Sequence, residues 1–93
     1  MNPKKTPTVY NVTLTAASTE YSQALVGVKA FEFKCRTAFD VLFAFVTGKV
    51  ATPTAPYMTL KTGQTYSSDL MYDNVTLYLS GTAGTVVEII AWS

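Results

Sequence analysis

The side chains that could perform acid–base chemistry in this sequence are few and scattered. The six carboxylates are Glu20, Glu32, Asp40, Asp69, Asp73 and Glu88. A glycosidase-like mechanism needs two carboxylates across one cleft, and nothing in their spacing pairs any two. The Asp-x-x-x-Asp spacing at 69–73 could bind Ca²⁺, but this cation takes about six to eight oxygen ligands, so the spacing alone is a poor signal.

The candidate nucleophiles lack a base. Cys35 is the only cysteine and histidine is absent, so the usual activator of a thiol or of Ser67 and Ser68 is missing. The same absence excludes a zinc site rich in histidine or cysteine. No glycine-rich loop joins a predicted strand to a predicted helix, which is the context of a phosphate site. We therefore expect no enzyme activity, no metal and no cofactor.

Composition favours a protein whose surface is partly covered by neighbours. Seven basic and six acidic residues give a net charge of +1 without a basic stripe, so no nucleic-acid partner is expected. Charged residues are 14% and hydrophobic residues 48% of the 93, which leaves little charge to keep a monomer soluble. A chain this short has a marginal core, and one cysteine cannot form an internal disulfide. Oligomerisation remains as the source of added stability.

The sequence contains no recognisable membrane or export signal. The N-terminal stretch MNPKKTPTV has no apolar core, unlike a secretory signal. The longest apolar run, residues 41–46, is far too short to span a bilayer. We expect synthesis as a soluble product of the cytoplasm, with no membrane partner.

Hydrophobic alternation with a period of two predicts an all-β fold. Residues 8–15 and 28–36 alternate in this way, and residues 41–46 are apolar on both faces, as in a strand buried on both sides. Residues 61–69 resemble a turn or corner, and GTAG at 81–84 predicts an antiparallel hairpin between 75–80 and 85–92. We expect a flexible arm over residues 1–7 and one antiparallel β-sandwich over 8–93, jelly-roll-like, with seven to eight short strands.

The segment TVVEIIAW at 85–92 gives the clearest indication of an interface. Its alternation places Glu88 and Trp92 on one face and a second apolar set on the other. One face must cover the domain's own core, so the other predicts a neighbouring subunit, with Glu88 paired or at the rim. Two lysines in the arm could meet a negative surface, and three apolar residues in a turn-rich stretch could bury against another chain. The predicted partner interface comprises Lys4, Lys5, Leu70, Met71, Tyr72, Glu88 and Trp92.

The C-terminal half resembles small structural proteins of tailed bacteriophages. The residues that carry the resemblance are YMTLKTGQTYSSDL (57–70), TLYLSGTAGTVVEIIAW (76–92) and the spacing between them. The resemblance implies a virion role, as a capsid decoration or cement protein or as a minor head or tail component. It also implies a homo-oligomer, with a trimer favoured, that binds the major capsid protein or another virion protein after synthesis in the host cytoplasm.

Two other functions remain open. The aromatic side chains of the C-terminal half could form a sugar-stacking platform, as in a carbohydrate-binding module at a fibre or tail tip, or they could line the edge of the core. A nucleic-acid binder of the OB type is a third reading, and the near-neutral charge counts against it. The aromatic residues concerned are Tyr57, Tyr66, Tyr72, Tyr78 and Trp92.

Overall fold

The computed structural model describes residues 6–68 and 73–93, which form two four-stranded antiparallel sheets. We call the sheet with the order β1-β8-β3-β6 the front sheet and the sheet with the order β2-β7-β4-β5 the back sheet. The described residues contain no helix, and the prediction of an all-β sandwich is confirmed. The strands are β1 (Pro7–Leu14), β2 (Tyr21–Val28), β3 (Ala30–Cys35), β4 (Val41–Ala44), β5 (Met58–Leu60), β6 (Thr65–Ser68), β7 (Asp73–Gly81) and β8 (Thr85–Trp92).

The strand pairs are nested in the sequence. The first strand pairs with the last, β2 with β7, β3 with β6, and β4 with β5. Each strand therefore lies in the opposite sheet from the strand before it, except that β4 and β5 share the back sheet. Nesting of this kind is the order expected of a jelly roll, and we interpret the arrangement as jelly-roll-like on that basis.

Aromatic side chains from both sheets fill the space between them. Phe33 on β3 meets Phe43 on β4 edge to face, with ring centroids 4.9 Å apart. Tyr66 on β6 closes the same cluster, 5.1 Å from the ring of Phe43. Phe33 and Phe43 are at most 2% exposed. Since a buried phenylalanine contributes roughly 1.5–3 kcal/mol through burial alone, this cluster is a main source of cohesion between the sheets.

The predicted hairpin between 75–80 and 85–92 is wrong. Strand β7 lies in the back sheet between β2 and β4, whereas β8 lies in the front sheet between β1 and β3. The turn therefore crosses from one sheet to the other. Gly84 sits in this crossing with φ +88°, a conformation that glycine adopts readily, and its N–H donates to the carbonyl of Leu14 at 2.7 Å.

Two boundaries also differ from the sequence prediction. Residues 61–69 were expected to form a turn or corner, but a strand, β6, begins at Thr65. Pro7 belongs to β1, and Thr6 exchanges two backbone hydrogen bonds with Ser93, at 3.0 and 3.1 Å. The last two residues of the predicted arm thus pair with the sheet, while residues 1–5 lie outside the described residues.

A loop over residues 45–57 covers part of the back sheet. The hydroxyl of Ser80 on β7 donates to the carbonyl of Val50 at 2.7 Å, and the Val50 side chain is fully buried. The expectation that residues 41–46 form one strand buried on both sides holds only in part, because the strand ends at Ala44 and Leu42 on it is half-buried. Phe45 and Val46 follow the strand and are 43% and 57% exposed.

None of the described ranges, 6–68 and 73–93, contains a helix long and apolar enough to cross a membrane.

Candidate functional site

The outer face of the front sheet is the candidate functional site. Strand β8 alternates strictly, with Thr85, Val87, Ile89 and Ala91 buried, so the residues between them point to the outer face and are half-buried. Neighbouring strands extend this face: Val9 on β1 lies opposite Ile90, and Lys34 on β3 lies opposite Glu88. The face therefore carries the side chains of Val9, Glu32, Lys34, Arg36, Thr65, Glu88, Ile90 and Trp92.

A small ion-pair network occupies one side of this face. The carboxylate of Glu88 lies 2.8 Å from Nε of Arg36 and 3.8 Å from Nζ of Lys34. Its side chain is 30% exposed, while those of Arg36 and Lys34 are 52% and 60% exposed. Exposed pairs of this kind contribute less than about 1 kcal/mol to folding. The network therefore orients charges on the face more than it stabilises the fold.

An apolar strip lies beside the ion pairs. Val9 is 65% exposed, and Ile90 and Trp92 are half-buried on the neighbouring strand. A shallow depression of about 430 Å³ runs between the strip and the charged side, lined by Val9, Glu32, Lys34, Thr65, Glu88 and Ile90. Tryptophan and arginine are enriched in protein-binding surfaces, whereas the lysine and the two glutamates of this face are residue types depleted there.

A second exposed apolar surface lies at the end of β4 and the start of β5. It forms a concavity of about 270 Å³, and Met58 and Val46 on it are 58% and 57% exposed. Sequence analysis missed this surface because Phe45 and Val46 continue an apolar run that was interpreted as buried. The prolines at positions 53 and 56 indicate this exposure in the sequence. A proline-rich loop cannot form a further central strand that would cover Phe45 and Val46.

The structure brings together only part of the predicted interface. Glu88 and Trp92 share the outer face of the front sheet, as their spacing along β8 requires. Val9 also lies on this outer face, although it was not predicted to belong to the interface. The sequence does indicate it, because Val9 is an apolar residue on the otherwise polar face of β1. The remaining predicted interface residues, Lys4, Lys5, Leu70, Met71 and Tyr72, lie outside the described residues.

The described aromatic residues do not form one platform. Trp92 lies on the outer face of the front sheet. Tyr66 packs into the core cluster, and Tyr78 alternates with buried Leu77 and Leu79, which places it on the outer face of the back sheet. Tyr57 lies on the second apolar surface and is 39% exposed. The fifth candidate, Tyr72, lies outside the described residues.

Two carboxylates anchor loops rather than a reaction site. Glu20 accepts a hydrogen bond from the Thr47 hydroxyl at 2.7 Å and one from the Gly48 N–H at 2.9 Å. The bond from Thr47, followed by those from backbone groups, holds the pKa of Glu20 below its usual value. Asp40 accepts from the Thr62 backbone N–H at 2.8 Å and from its hydroxyl at 3.0 Å, and these bonds lower the pKa of Asp40.

The other chemical candidates remain separate in the structure. Sγ of Cys35 is half-buried, and its hydrogen-bond partner is the hydroxyl of Thr37 at 3.2 Å. Within residues 6–68 and 73–93, no group of three His, Cys, Asp or Glu side chains could hold a metal ion. Asp69 lies outside the described residues, so the 69–73 spacing has no described geometry.

Comparison with known proteins gives no match: no protein-family model, no curated protein and no solved structure is similar to this chain. The similarity to phage structural proteins therefore depends on the residues of 57–70 and 76–92 alone and stays a prediction.

Proposed function

We propose that this protein is a structural component of a phage virion, a capsid decoration or cement protein that binds the particle non-covalently. The observation that carries the proposal is the outer face of the front sheet, where Val9, Ile90 and Trp92 form an accessible apolar strip. The resemblance of residues 57–70 and 76–92 to phage structural proteins supplies the kind of partner.

The composition of the face suits binding to a protein surface. Tryptophan and arginine are enriched among the residues that dominate binding energy, and both Trp92 and Arg36 lie on this face. Glu32 and Glu88 balance Lys34 and Arg36, so these four charges sum to zero. A balanced set of charges limits non-specific attraction to charged polymers. It leaves recognition to shape, apolar contact and the arrangement of the individual charges.

The mechanism of stabilisation is mass action. A protein that binds the assembled shell but not its dissociated subunits lowers the free energy of the shell by RT ln(1 + [L]/Kd). At a hundredfold excess over Kd this is about 2.7 kcal/mol per site. Repeated over many sites, this gain explains how a small domain could protect a large particle.

The proposal is tested by co-sedimentation with purified capsids of the phage that encodes the chain. We expect saturable binding and a raised temperature of capsid disruption. Val9→Ser should lower affinity about tenfold, because a buried apolar side chain is worth about 1.5 kcal/mol or more. The matched control is Val26→Ser, since Val26 is 70% exposed on β2, away from the face. Equal binding by both variants, or no binding by the unmodified protein, would contradict the proposal.

Carbohydrate binding is the alternative, and the depression of about 430 Å³ is the observation that favours it. Glu32, Lys34 and Thr65 could hydrogen-bond sugar hydroxyls there. The separation of Trp92 from Tyr66 and Tyr78 counts against a stacking platform. A glycan array with the protein and its Glu32→Ala variant distinguishes the two functions. Glycan binding that Glu32→Ala removes while capsid binding is absent would favour the sugar-binding module.

A further inference from the structure

The four edge strands of the sandwich differ in how well they are protected from pairing with another strand. Strand β5 has three residues and β6 has four. Strand β2 has eight residues, but its register shifts between Leu25 and Val28, and a bulge of this kind makes an edge a poor template. Strand β1 has eight residues, an unbroken register with β8 and no charged side chain.

At every second residue of β1, the backbone N–H and C=O groups point away from β8. Thr6 and Ser93 exchange both N–H···O bonds, so Thr6 is a hydrogen-bonded position of the antiparallel pair. The register then continues without a break from Pro7 opposite Trp92 to Leu14 opposite Thr85. Because hydrogen-bonded positions alternate in such a pair, Val9, Asn11 and Thr13 direct their N–H and C=O groups to the free edge. Among the described strands, β1 pairs with β8 alone.

We propose that the free edge of β1 pairs antiparallel with β1 of a second copy of this chain, joining the two front sheets into one continuous sheet. Across a two-fold axis only the residue at the axis meets its own copy. We place Asn11 there, as the middle one of the three free positions, so that Val9 meets Thr13 of the second copy and a charge at position 11 would be repelled. The edge of β1 is neutral throughout. Exposed Val9 would then face the partner's β1, and the apolar strip with Ile90 would continue across the junction.

This pairing closes at two copies, because both partners use the same strand. It therefore differs from the trimer that the phage resemblance implies. It also does not depend on the proposed function, because the dimer forms in solution without a capsid. The mass in solution tests the β1 edge, whereas co-sedimentation tests capsid binding, so the two proposals can fail separately.

The experiment compares Asn11→Pro with Asn11→Ala by light scattering after size exclusion. Proline at position 11 lacks the backbone N–H that points to the free edge, but the hydrogen bonds between β1 and β8 remain. Alanine keeps that N–H and removes only the polar part of the side chain. The chain mass is 10.1 kDa, and we expect the unmodified protein and Asn11→Ala at twice this mass. The dissociation constant of the Asn11→Pro dimer should be at least about tenfold higher than that of the unmodified dimer. The effect is this large because the substitution occurs twice in a two-fold pair.

A second pair of variants keeps the test valid if proline prevents folding. Asn11→Lys and Asn11→Asp should each weaken the dimer through like charges, and mixing them should restore it as a heterodimer. A monomeric unmodified protein at 100 μM, a trimer, or a dimer insensitive to Asn11→Pro and to the charged variants would overturn the proposal.

Discussion

At the scale of single residues, Thr85 stands out because it is polar and completely buried. It is 0% exposed, and its hydroxyl has no hydrogen-bond partner among the described residues. Burying a hydroxyl without a partner costs about 1–3 kcal/mol. The neighbouring inward positions on β8 are Val87 and Ile89, so the core itself would accept an apolar side chain at this position.

Replacing this hydroxyl with a methyl group should stabilise the protein. Thr85→Val keeps the branched shape and removes the unpaired oxygen, so we expect the free energy of unfolding to rise by about 1 kcal/mol. Urea unfolding measures the change. Thr13→Val is the matched control, because Thr13 is exposed on the paired strand, and it should change stability by less than about 0.5 kcal/mol. A destabilised Thr85→Val would mean that the hydroxyl has a bound water or another partner.

At the scale of elements, the loop over residues 45–57 depends on a few polar anchors. One end is fixed by Glu20, which accepts from Thr47 and Gly48, and its middle is fixed by Ser80 and buried Val50. Because the pKa of Glu20 is lowered in the folded state, its carboxylate stabilises the fold above its ordinary pKa of 4.5. That contribution to stability is lost as the pH falls through the lowered pKa of Glu20 in the folded protein.

Glu20→Gln should therefore make the protein less sensitive to acid. We expect it to be less stable than the unmodified protein at pH 7, by under about 1 kcal/mol because the site is exposed. The two proteins should become similar in stability near pH 2. Urea unfolding between pH 2 and pH 7 measures both effects. Thr47→Val should reproduce part of the change and add less than its own effect to Glu20→Gln, since glutamine keeps only one acceptor oxygen for the two donors, Thr47 and Gly48. Additive effects would show that the pair does not act together.

The faces of the strands could be predicted from the sequence, but their partners could not. Alternation separated the two faces of the segment 28–36 and placed Glu88 and Trp92 on one face of β8, because side chains in any strand alternate between faces. The turn at 81–84 gave no information on whether its strands pair, since both arrangements need a tight turn with glycine. The pairing is decided by residues far away in sequence, on β1 and β3 for β8.

The candidate site was only partly predictable for the same reason. Glu88 and Trp92 lie on one strand, so their shared face follows from local spacing. Val9 reaches that face from β1 and Arg36 from the position just after β3, and sequence alone does not give the register that brings them there. Strand β6 was missed because its residues, TYSS, are mostly polar and lack the apolar alternation by which a half-buried strand is recognised.

At the scale of the whole molecule, the two sheets are held together by rings that meet across the core. Phe43 of the back sheet contacts the rings of Phe33 and Tyr66 of the front sheet. Such aromatic pairs contribute about 0.5–1.5 kcal/mol each beyond the area they bury. The centre of the sandwich should therefore be sensitive to the loss of any one of these rings.

Phe43→Leu should lower the free energy of unfolding by about 1–3 kcal/mol, because it removes the ring contacts and leaves a partial void. Phe39→Leu is the control, since Phe39 is 43% exposed and should change stability by less than about 0.5 kcal/mol. Thermal and urea unfolding measure both. A similar loss in the two variants would show that the ring cluster does not have this role.

The nested pairing has a consequence for how the protein is made. Among the described strands β8 is synthesised after the other seven, yet it lies between β1 and β3 within the front sheet. At about 5–20 residues per second, the ribosome needs roughly 3–11 s to pass from residue 36 to residue 92. During that interval β1 and β3 lack the strand that lies between them in the folded front sheet, so the front sheet can be completed only after β8 has been made.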